Sequence, residues 1–319
     1  MVSADCFAKL RSDFEDFYYQ KLWPVLVAKE EQRLKYLHRF WLLLFLMCIG
    51  LPCLILWIWG EWIYAILTHG SPQDIENLVK LGLLASAGII AIVGAPIIKY
   101  KLEVKDSVIE DFINFFGTFH YLPFSYIDDP IIQKSQLFRS YNRHSGDDYF
   151  HGTYKNVTMT ISEESLRFKH NKGESDVFKG IVIMLDFPKA FNGHTIVFSD
   201  WGMFNFLHSA GRKMQHIAFE DIVFEKEFEV FGNDQIEARF LLTTAFMERM
   251  LRVRDAFRGK KIQFSFFDNK LLIAINTSKD MFEPSSLFKN STDRRPINDV
   301  LEQFISVFSI VEFLKLTQQ

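Results

Sequence analysis

The chain has 319 residues, of which 49% are hydrophobic and 16% aromatic, and 34 of them are phenylalanine. The 36 Lys and Arg residues nearly balance the 39 Asp and Glu residues, so overall charge does not favour a nucleic-acid partner and none is expected. Three cysteines are too few for a disulfide framework, and no cysteine–histidine spacing typical of a zinc site occurs.

Residues 1–39 predict an amphipathic helix ahead of the first apolar run. Its apolar side chains recur at spacings of three and four: Phe7, Leu10, Phe14, Phe17 and Tyr18. Pro24 is expected to interrupt or re-aim this helix. The polar face mixes both charge signs, which favours packing of the stripe on the rest of the protein. A membrane-surface or partner-binding helix is the alternative.

Residues 40–100 predict a hairpin of two transmembrane helices. The first span covers about residues 40–60, "FWLLLFLMCIGLPCLILWIWG", and contains no charged residue. The second covers about residues 81–98 and is also free of charge. Uncharged runs of 18 or more residues are typical of spanning helices. A buried hairpin of soluble-protein helices is the less favoured alternative.

Charge on the flanks predicts the orientation of this hairpin. Basic residues precede the first span and follow the second: Lys21, Lys29, Arg33, Lys35, Arg39, Lys99, Lys101 and Lys105. The connection between the spans has three acids and one lysine. By the positive-inside rule, both termini are cytoplasmic and only a short hairpin loop lies outside.

Small residues on the second span predict how it meets another helix. Gly82, Ala85 and Gly88 lie at spacings that place them on one side, where another backbone can approach closely. The predicted partners are therefore the lipid bilayer and either a protein partner or a second copy of the chain bound through this face.

The remaining sequence predicts an α+β class, with a mainly antiparallel sheet domain and packed helices. Residues 101–145 are expected to form a helical connector and residues 146–319 the cytosolic domain. Short β-branched and aromatic runs, among them "VTMTIS", "SLRFK" and "HTIVFSD", alternate with turn signals. The segment 140–156 has polar residues and glycines and is predicted to be a loop. Helices are predicted near 244–258, with Thr243 or Thr244 as its cap, and near 297–316. Asp234 would cap a helical turn after Gly232-Asn233, and a β-hairpin is predicted with Asp268-Asn269 at its turn.

Several phrases resemble an uncharacterised bacterial family of domain-of-unknown-function membrane proteins. They are "DDYFHGTYKN", "VFKGIVIMLDFPKAFNGHTIVFSD", "FEKEFEVFGNDQIEARFLLTTAFMERM" and "FSFFDNKLLIAI". The resemblance covers about the last 170 residues together with the two-span layout. It implies two spans in a bacterial inner membrane followed by a cytosolic α+β domain, and it implies no catalytic residue.

Two groups of residues are candidates for chemistry. Glu225, Glu227 and Glu229 alternate along the chain and would share one side of a strand, where they are weak candidates for a divalent metal. A charged outer face of that strand is the simpler interpretation. Weak catalytic candidates are the residues of a possible Asp–His pair: Asp147, Asp148, His151 and Asp200.

Known catalytic and nucleotide-binding signatures do not occur in the chain. The GxSxG, Walker A, GxGxxG and HExxH patterns are all missing, and no cofactor is expected. The favoured function is a membrane-anchored binding or scaffold protein that is not an enzyme. The alternatives are a membrane-tethered hydrolase acting on lipid or envelope precursors, and an accessory subunit of a membrane transport assembly.

Overall fold

The computed structural model describes residues 2–171, 173–199, 214–257 and 261–316. Contacts between residues divide the chain into two compact units. The sheet unit comprises Met1–Phe17, Ile109–Phe282 and Asn298–Gln319. The helical unit comprises Tyr18–Val108 and Glu283–Ile297. Each unit therefore combines segments that are distant in sequence.

Long helices form the N-terminal part of the chain. They are α1 (Val2–Phe17), α2 (Trp23–Phe45), α3 (Leu51–His69) and α4 (Pro72–Asn114), with π-helical turns at Tyr18–Leu22 and Leu46–Gly50. Pro24 is the second residue of α2, which directly follows the π-helical turn Tyr18–Leu22, so the helical path continues through it with a local change of hydrogen-bond pattern. Gly70 and Ser71 separate α3 from α4. The helices therefore extend well beyond the charge-free runs.

Two of the described helical stretches are long and apolar enough to cross a membrane. They are Phe7–Trp57 and Gln73–Asn114. Each stretch contains an 18-residue segment that is its most apolar part. In the first stretch, none of the residues of this segment are buried within the protein, and in the second stretch 12% of them are buried. A core helix of a soluble protein would be mostly buried. The described part of this chain therefore does not bury these apolar surfaces, and something else, such as lipid or another protein, must do so.

The described strands form one nine-stranded sheet in which all pairs are antiparallel. The strands are β1 (Thr118–Leu122), β2 (Arg143–Tyr154), β3 (Val157–His170), β4 (Gly173–Asp186), β5 (Thr195–Ser199), β6 (Gln215–His216), β7 (Phe228–Gly232), β8 (Ile262–Phe267) and β9 (Lys270–Asn276). Their spatial order is β1-β2-β3-β4-β9-β8-β5-β7-β6. This sheet with its helices confirms the predicted α+β class.

Five further helices are described, and all but the first four residues of the last lie in the sheet unit. They are α5 (Asp129–Ser135), α6 (Ile222–Glu227), α7 (Gln235–Leu241), α8 (Thr244–Ala256) and α9 (Arg294–Leu314). Predicted caps are found at two of them: Asp234 accepts hydrogen bonds from the N–H groups of Ile236 and Glu237, and Thr243 accepts one from Phe246. Local sequence therefore fixes where α7 and α8 begin.

Phenylalanine fills the core on one face of the sheet. The ring centroid of Phe304, on α9, lies 4.4 Å from that of Phe282 and 5.4 Å from that of Phe150 on β2. On the same side, Phe14 of α1 lies 5.0 Å from Phe112. The apolar stripe of α1 therefore packs on the sheet unit, as its mixed charge predicts.

A second apolar cluster lies on the other face of the sheet, under α5. It joins residues of α5 and the following segment to residues of six strands: Ile127, Ile132, Leu137, Leu166, Phe178, Val182, Ile196, Phe198, Phe231, Phe267, Leu272 and Ala274. Helix α5 thus covers part of this face, and its polar end brings ionisable side chains to the sheet.

Two local predictions are wrong. Residues 143–154, expected in a loop, form β2, and the Lys155–Asn156 turn joins it to β3 with positive φ angles of 47° and 66°. The runs "VTMTIS" and "SLRFK" belong to one 14-residue strand that continues through Glu163 and Glu164. Pairing with β2 and β4 holds these polar residues in the sheet despite their low strand preference. The predicted connector 101–145 also contains β1.

Candidate functional site

Four polar side chains meet where α5 lies on β2 and β3. The register of the two strands places Gly146 opposite Glu164 and His144 opposite Leu166, so His144 and Glu164 are diagonal neighbours. Asp129 is the first residue of α5, and Tyr141 lies in the segment between α5 and β2. We call the group formed by Asp129, Tyr141, His144 and Glu164 the His144 network.

The His144 imidazole lies between two carboxylates. Its Nε2 is 2.5 Å from Glu164 Oε2, and its Nδ1 is 2.8 Å from Asp129 Oδ1. The Tyr141 hydroxyl donates to Asp129 Oδ1 at 2.7 Å, and the Ile127 N–H donates to Glu164 Oε1 at 2.9 Å. The network thus fixes the start of α5 and the chain before it to the sheet.

The two carboxylates favour an imidazolium in this network despite its burial. The Glu164 side chain is 0% exposed and the His144 side chain 4%, whereas that of Asp129 is 47% exposed. Burial opposes the charged imidazole, but hydrogen bonds and charges of Glu164 and Asp129 outweigh it and raise the pKa of His144. The hydrogen bond from Tyr141 lowers the pKa of Asp129, and His144 adds to this effect.

This arrangement is suited to an ionic tether. Both ring nitrogens of His144 are engaged by carboxylates, so neither is open to exchange a proton with a substrate in this geometry. Both oxygens of Glu164 are likewise engaged, by His144 and by the Ile127 N–H. The network therefore joins three segments and presents only the Asp129 end to solvent.

Gly146 makes the close approach at this site possible. A Cβ at this position would lie 2.4 Å from Tyr126 Cβ and 2.9 Å from the Ser125 carbonyl oxygen. Any side chain would push away the segment that carries Tyr126, whose ring packs 4.2 Å from the His144 ring. Glycine is therefore required here for proximity.

A second histidine contact, which is half-buried, joins β8 to the end of α5. His194 Nε2 lies 2.8 Å from Ser265 Oγ and 3.2 Å from the Ser135 carbonyl oxygen, to which Ser265 donates at 2.7 Å. A carbonyl only accepts, so the Nε2 atom carries a proton and donates. His194 in this tautomer cannot remove the Ser265 proton through Nε2, so the pair does not have the arrangement of a hydrolase nucleophile and base.

The structure places the candidates Asp148 and His151 on opposite faces of β2. Asp148 is buried at a bulge of β2, with φ of 52°, and accepts a hydrogen bond from Tyr121 at 2.9 Å on the core face. His151 points to the opposite face, where its Nδ1 lies 3.0 Å from Thr160 Oγ1.

Two further candidates complete this set. Asp147 Oδ1 accepts a hydrogen bond from the Asp148 N–H at 3.0 Å. Asp200 lies outside the described residues. The pairing of His151 with Asp200 therefore stays a prediction.

The three glutamates do not share one strand, which corrects the simplest interpretation of their spacing. Glu225 and Glu227 lie on α6, which ends at Glu227, and only Glu229 lies on β7. Glu225 accepts a hydrogen bond from the Phe219 N–H at 2.6 Å, and Glu227 pairs with Arg254. Asp221, which caps α6 by accepting from Val223 and Phe224, turns the alternating acids into a helix start. The metal prediction stays untested.

Sequence reasoning missed the His144 network. Glu164 stands in "SEES", which resembles a polar break between strands, and Asp129 resembles a helix cap. In the structure the cap position is Asp128, which makes no side-chain cap hydrogen bond. Two adjacent acids inside an otherwise apolar strand, Glu163 and Glu164, are the one local signal of a buried polar group.

Comparison with known proteins gives one family match. Residues 176–316 match the family model described as "Protein of unknown function (DUF3137)". This confirms the predicted resemblance to an uncharacterised domain-of-unknown-function family over that segment. No curated protein matches the chain.

Among solved structures, the crystal structure of the mycobacterial trehalose monomycolate transport factor A, TtfA, is similar at a TM-score of 0.31 and 11% identity. The match covers 63% of this chain and 91% of that one. At this TM-score nothing about function follows from the likeness.

Proposed function

We propose that this chain is a membrane-anchored protein whose cytosolic sheet unit binds a partner protein. The observation that carries the proposal is the exposed apolar surface of the two long helical stretches, of which the first buries none of its most apolar part. Hydrocarbon is the environment that suits such a surface over a length of about 30 Å. The basic residues at one end of the hairpin favour the orientation with both termini inside.

Binding is favoured over catalysis by the state of the histidines. In the His144 network and in the His194 contact, ring nitrogens are used to hold segments of the sheet unit together. Such contacts stabilise a fold, and in His144 they engage both ring nitrogens. They support a binding module on a rigid sheet.

Exposed apolar side chains of α6 and α7 supply a surface for this partner. Ile222 and Val223 at the start of α6 are exposed, as are Ile236 and Phe240, which are one turn apart on α7. The Lys189 ammonium lies 3.1 Å from the centre of the Phe240 ring, so a cation accompanies the apolar surface. Exposed Ile and Phe beside a well-filled core are typical of a protein–protein contact.

A second copy of the chain is the membrane partner that we propose for the second span. A Cβ added to Gly88 would meet no atom within 4 Å, so the described part of the chain leaves this side of α4 open. Together with Gly82 and Ala85 it offers a surface on which another helix can pack closely. An accessory role in a membrane transport assembly would be one form of this function.

Site-specific photocrosslinking from intact membranes tests the proposal. A photoreactive residue at Ile236 should give one reproducible protein adduct, and the same residue at the exposed Asp176 of β4 should not. Equal adducts at both positions, or none at either, would contradict partner binding.

Labelling of a Gln73→Cys variant tests the anchoring. Gln73 is in the first turn of α4, between the predicted spans at about residues 40–60 and 81–98, and should react with an impermeant reagent from outside. Reaction only after permeabilisation would overturn the orientation.

A further inference from the structure

The segment Glu283–Ile297, which we call the clasp, is fixed to α2 within the helical unit. Arg33 donates from Nη1 to the Leu287 carbonyl oxygen at 3.0 Å. Ser291 donates its N–H and its hydroxyl to Glu30 Oε2 at 2.8 and 2.6 Å. Arg33 and Glu30 also pair with each other at 2.7 Å. These part-buried bonds hold the clasp backbone against the helix.

Contacts at two points give the clasp a direction along the helices. The Arg294 guanidinium lies 4.6 Å from the centre of the Tyr18 ring. The Phe288 ring meets the edge of the Phe40 ring, with centroids 5.3 Å apart. Tyr18 and Phe40 are 22 residues apart, which corresponds to roughly 30 Å along a helix. Phe288 therefore marks the end of the clasp nearest the apolar run.

Phe288 is exposed where the charge-free run begins. Phe40 is the first residue of that run, and its ring contacts both Phe288 and Trp41. Phe288 is 54% exposed and Trp41 56% exposed, and Lys289 beside Phe288 is exposed as well. Two large aromatic rings, each in contact with Phe40, are thus exposed at the level where the helix becomes fully apolar.

Charge around these rings favours anionic lipid headgroups. Besides Lys289, the exposed cations Lys35, Arg39 and Lys99 lie on the helices near the same level. Acidic side chains nearby are engaged by the unit itself: Glu103 accepts from Tyr36 at 2.7 Å, and Glu283 pairs with Lys105 at 2.6 Å. Aromatic rings prefer the membrane interface, and lysines just inside it are attracted to anionic lipids.

We infer that the clasp is a third membrane contact, in which Phe288 inserts into the interface of the bilayer and Lys289 meets anionic headgroups. This inference rests on the proposed membrane anchoring. It brings a segment that follows the first span by more than 220 residues back to the lipid surface. Through the Arg33 and Glu30 bonds, lipid contact at Phe288 is joined directly to α2.

Lipid-quenched fluorescence tests the inference in the full chain. Cys6, Cys48 and Cys53 are replaced by alanine, and a single cysteine carrying an environment-sensitive dye is placed at Phe288, Leu56 or Arg295. Leu56 lies inside the first span, and Arg295 lies at the far end of the clasp, beside Arg294. Each protein is reconstituted in vesicles of phosphatidylcholine and phosphatidylglycerol that contain a lipid with a nitroxide near its headgroup.

The nitroxide lipid should lower the emission from position 288 by about a factor of two and leave position 295 unchanged. Quenching at Leu56 with none at Phe288 would overturn the inference and leave the anchoring intact. Failure to quench at Leu56 as well, even by lipids with a deep nitroxide, would overturn the anchoring itself. Unchanged circular dichroism of each labelled protein shows that it is folded.

Lys289→Glu separates headgroup attraction from burial against protein. In vesicles with phosphatidylglycerol, the charge reversal should reduce the quenching at position 288 by at least half. In vesicles of pure phosphatidylcholine, the same substitution should change the quenching much less. Equal quenching of both proteins in both kinds of vesicle would contradict a role for anionic lipid.

Discussion

The two units use apolar side chains in opposite ways. In the sheet unit Phe304, Phe264 and Phe150 are fully buried between the sheet and its helices. In the helical unit Leu56, Trp57 and Leu84 are exposed, and polar bonds of the clasp hold the helix α2. Hydrophobic burial within the chain therefore stabilises the sheet unit, whereas the apolar helices depend on their surroundings. The predictions below test this contrast.

The largest effect is expected from a core truncation in the sheet unit. Phe304→Ala removes the ring that contacts Phe282, Phe150 and Phe112, and should lower the free energy of unfolding by about 3–5 kcal/mol. Chemical denaturation in detergent, followed by near-ultraviolet circular dichroism, measures it. Leu56→Ala in the first span is the control and should change that value by less than about 0.5 kcal/mol. Equal losses in both variants would contradict the contrast.

A smaller loss is expected from the His144 network. Glu164→Gln keeps an acceptor for the Ile127 N–H but removes the buried charge beside His144. It should lower the free energy of unfolding by about 2 kcal/mol. The matched control is Glu174→Gln, which breaks the exposed pair with Arg167 and should cost at most about 0.5 kcal/mol. The denaturation midpoints of the two variants measure these losses. Similar midpoints would show that the His144 network does not stabilise the fold.

The same network predicts how stability varies with pH. The folded state raises the pKa of His144 above its ordinary 6.5, so its stabilisation is complete below 6.5 and is lost as pH rises through the folded value. The pKa of Asp129 is lowered from 3.8, so its contribution is present above 3.8 and is lost as pH falls through the folded value. The melting temperature should therefore fall as pH rises through the folded pKa of His144, and also as pH falls through the folded pKa of Asp129. His144→Gln should make the fall at alkaline pH less steep. An unchanged alkaline decline in that variant would contradict this assignment.

In the helical unit, the clasp should open locally without global unfolding. Hydrogen bonds from Arg33, followed by those of Ser291, lower the pKa of Glu30 to about 2, so its charge persists well below pH 4.5. Glu30→Gln weakens these charged bonds and should speed hydrogen exchange at the Ser291 amide by roughly tenfold. Exchange in β9 should stay unchanged and serves as the internal control. Faster exchange in both would show that the clasp and the sheet open together.

The smallest effect on stability is expected at Gly88. Gly88→Leu adds a side chain where a Cβ meets no atom within 4 Å, so the unfolding free energy of the sheet unit should not change measurably. If the small-residue face joins two copies, the bulky side chain should convert dimers to monomers in crosslinking or mass photometry. Leucine at Ile90, which is exposed on the same helix, is the control. A monomeric parent protein would contradict self-association at this face.

Local sequence patterns were sufficient to predict many helices and strands, but they failed where a strand contains polar residues. The helix α9 follows from its apolar spacing, and the β8–β9 hairpin follows from Asp268 and Asn269, which have φ of 49° and 56° in its turn. Strand β2 was missed because Asp147, Asp148 and Gly152 have low strand preference, and pairing with β1 and β3 outweighs it. The His144 network was missed because its members come from separate segments.

The sequence by itself determined the α+β class, the two apolar stretches and the capped starts of α7 and α8. Each of these depends on residues within one or two turns or on the length of one uncharged run. Tertiary structure alone decided that Glu164 and Asp129 meet His144 and that the clasp returns to α2. These contacts join residues far apart in the chain, and their geometry exists only once strands pair and helices pack.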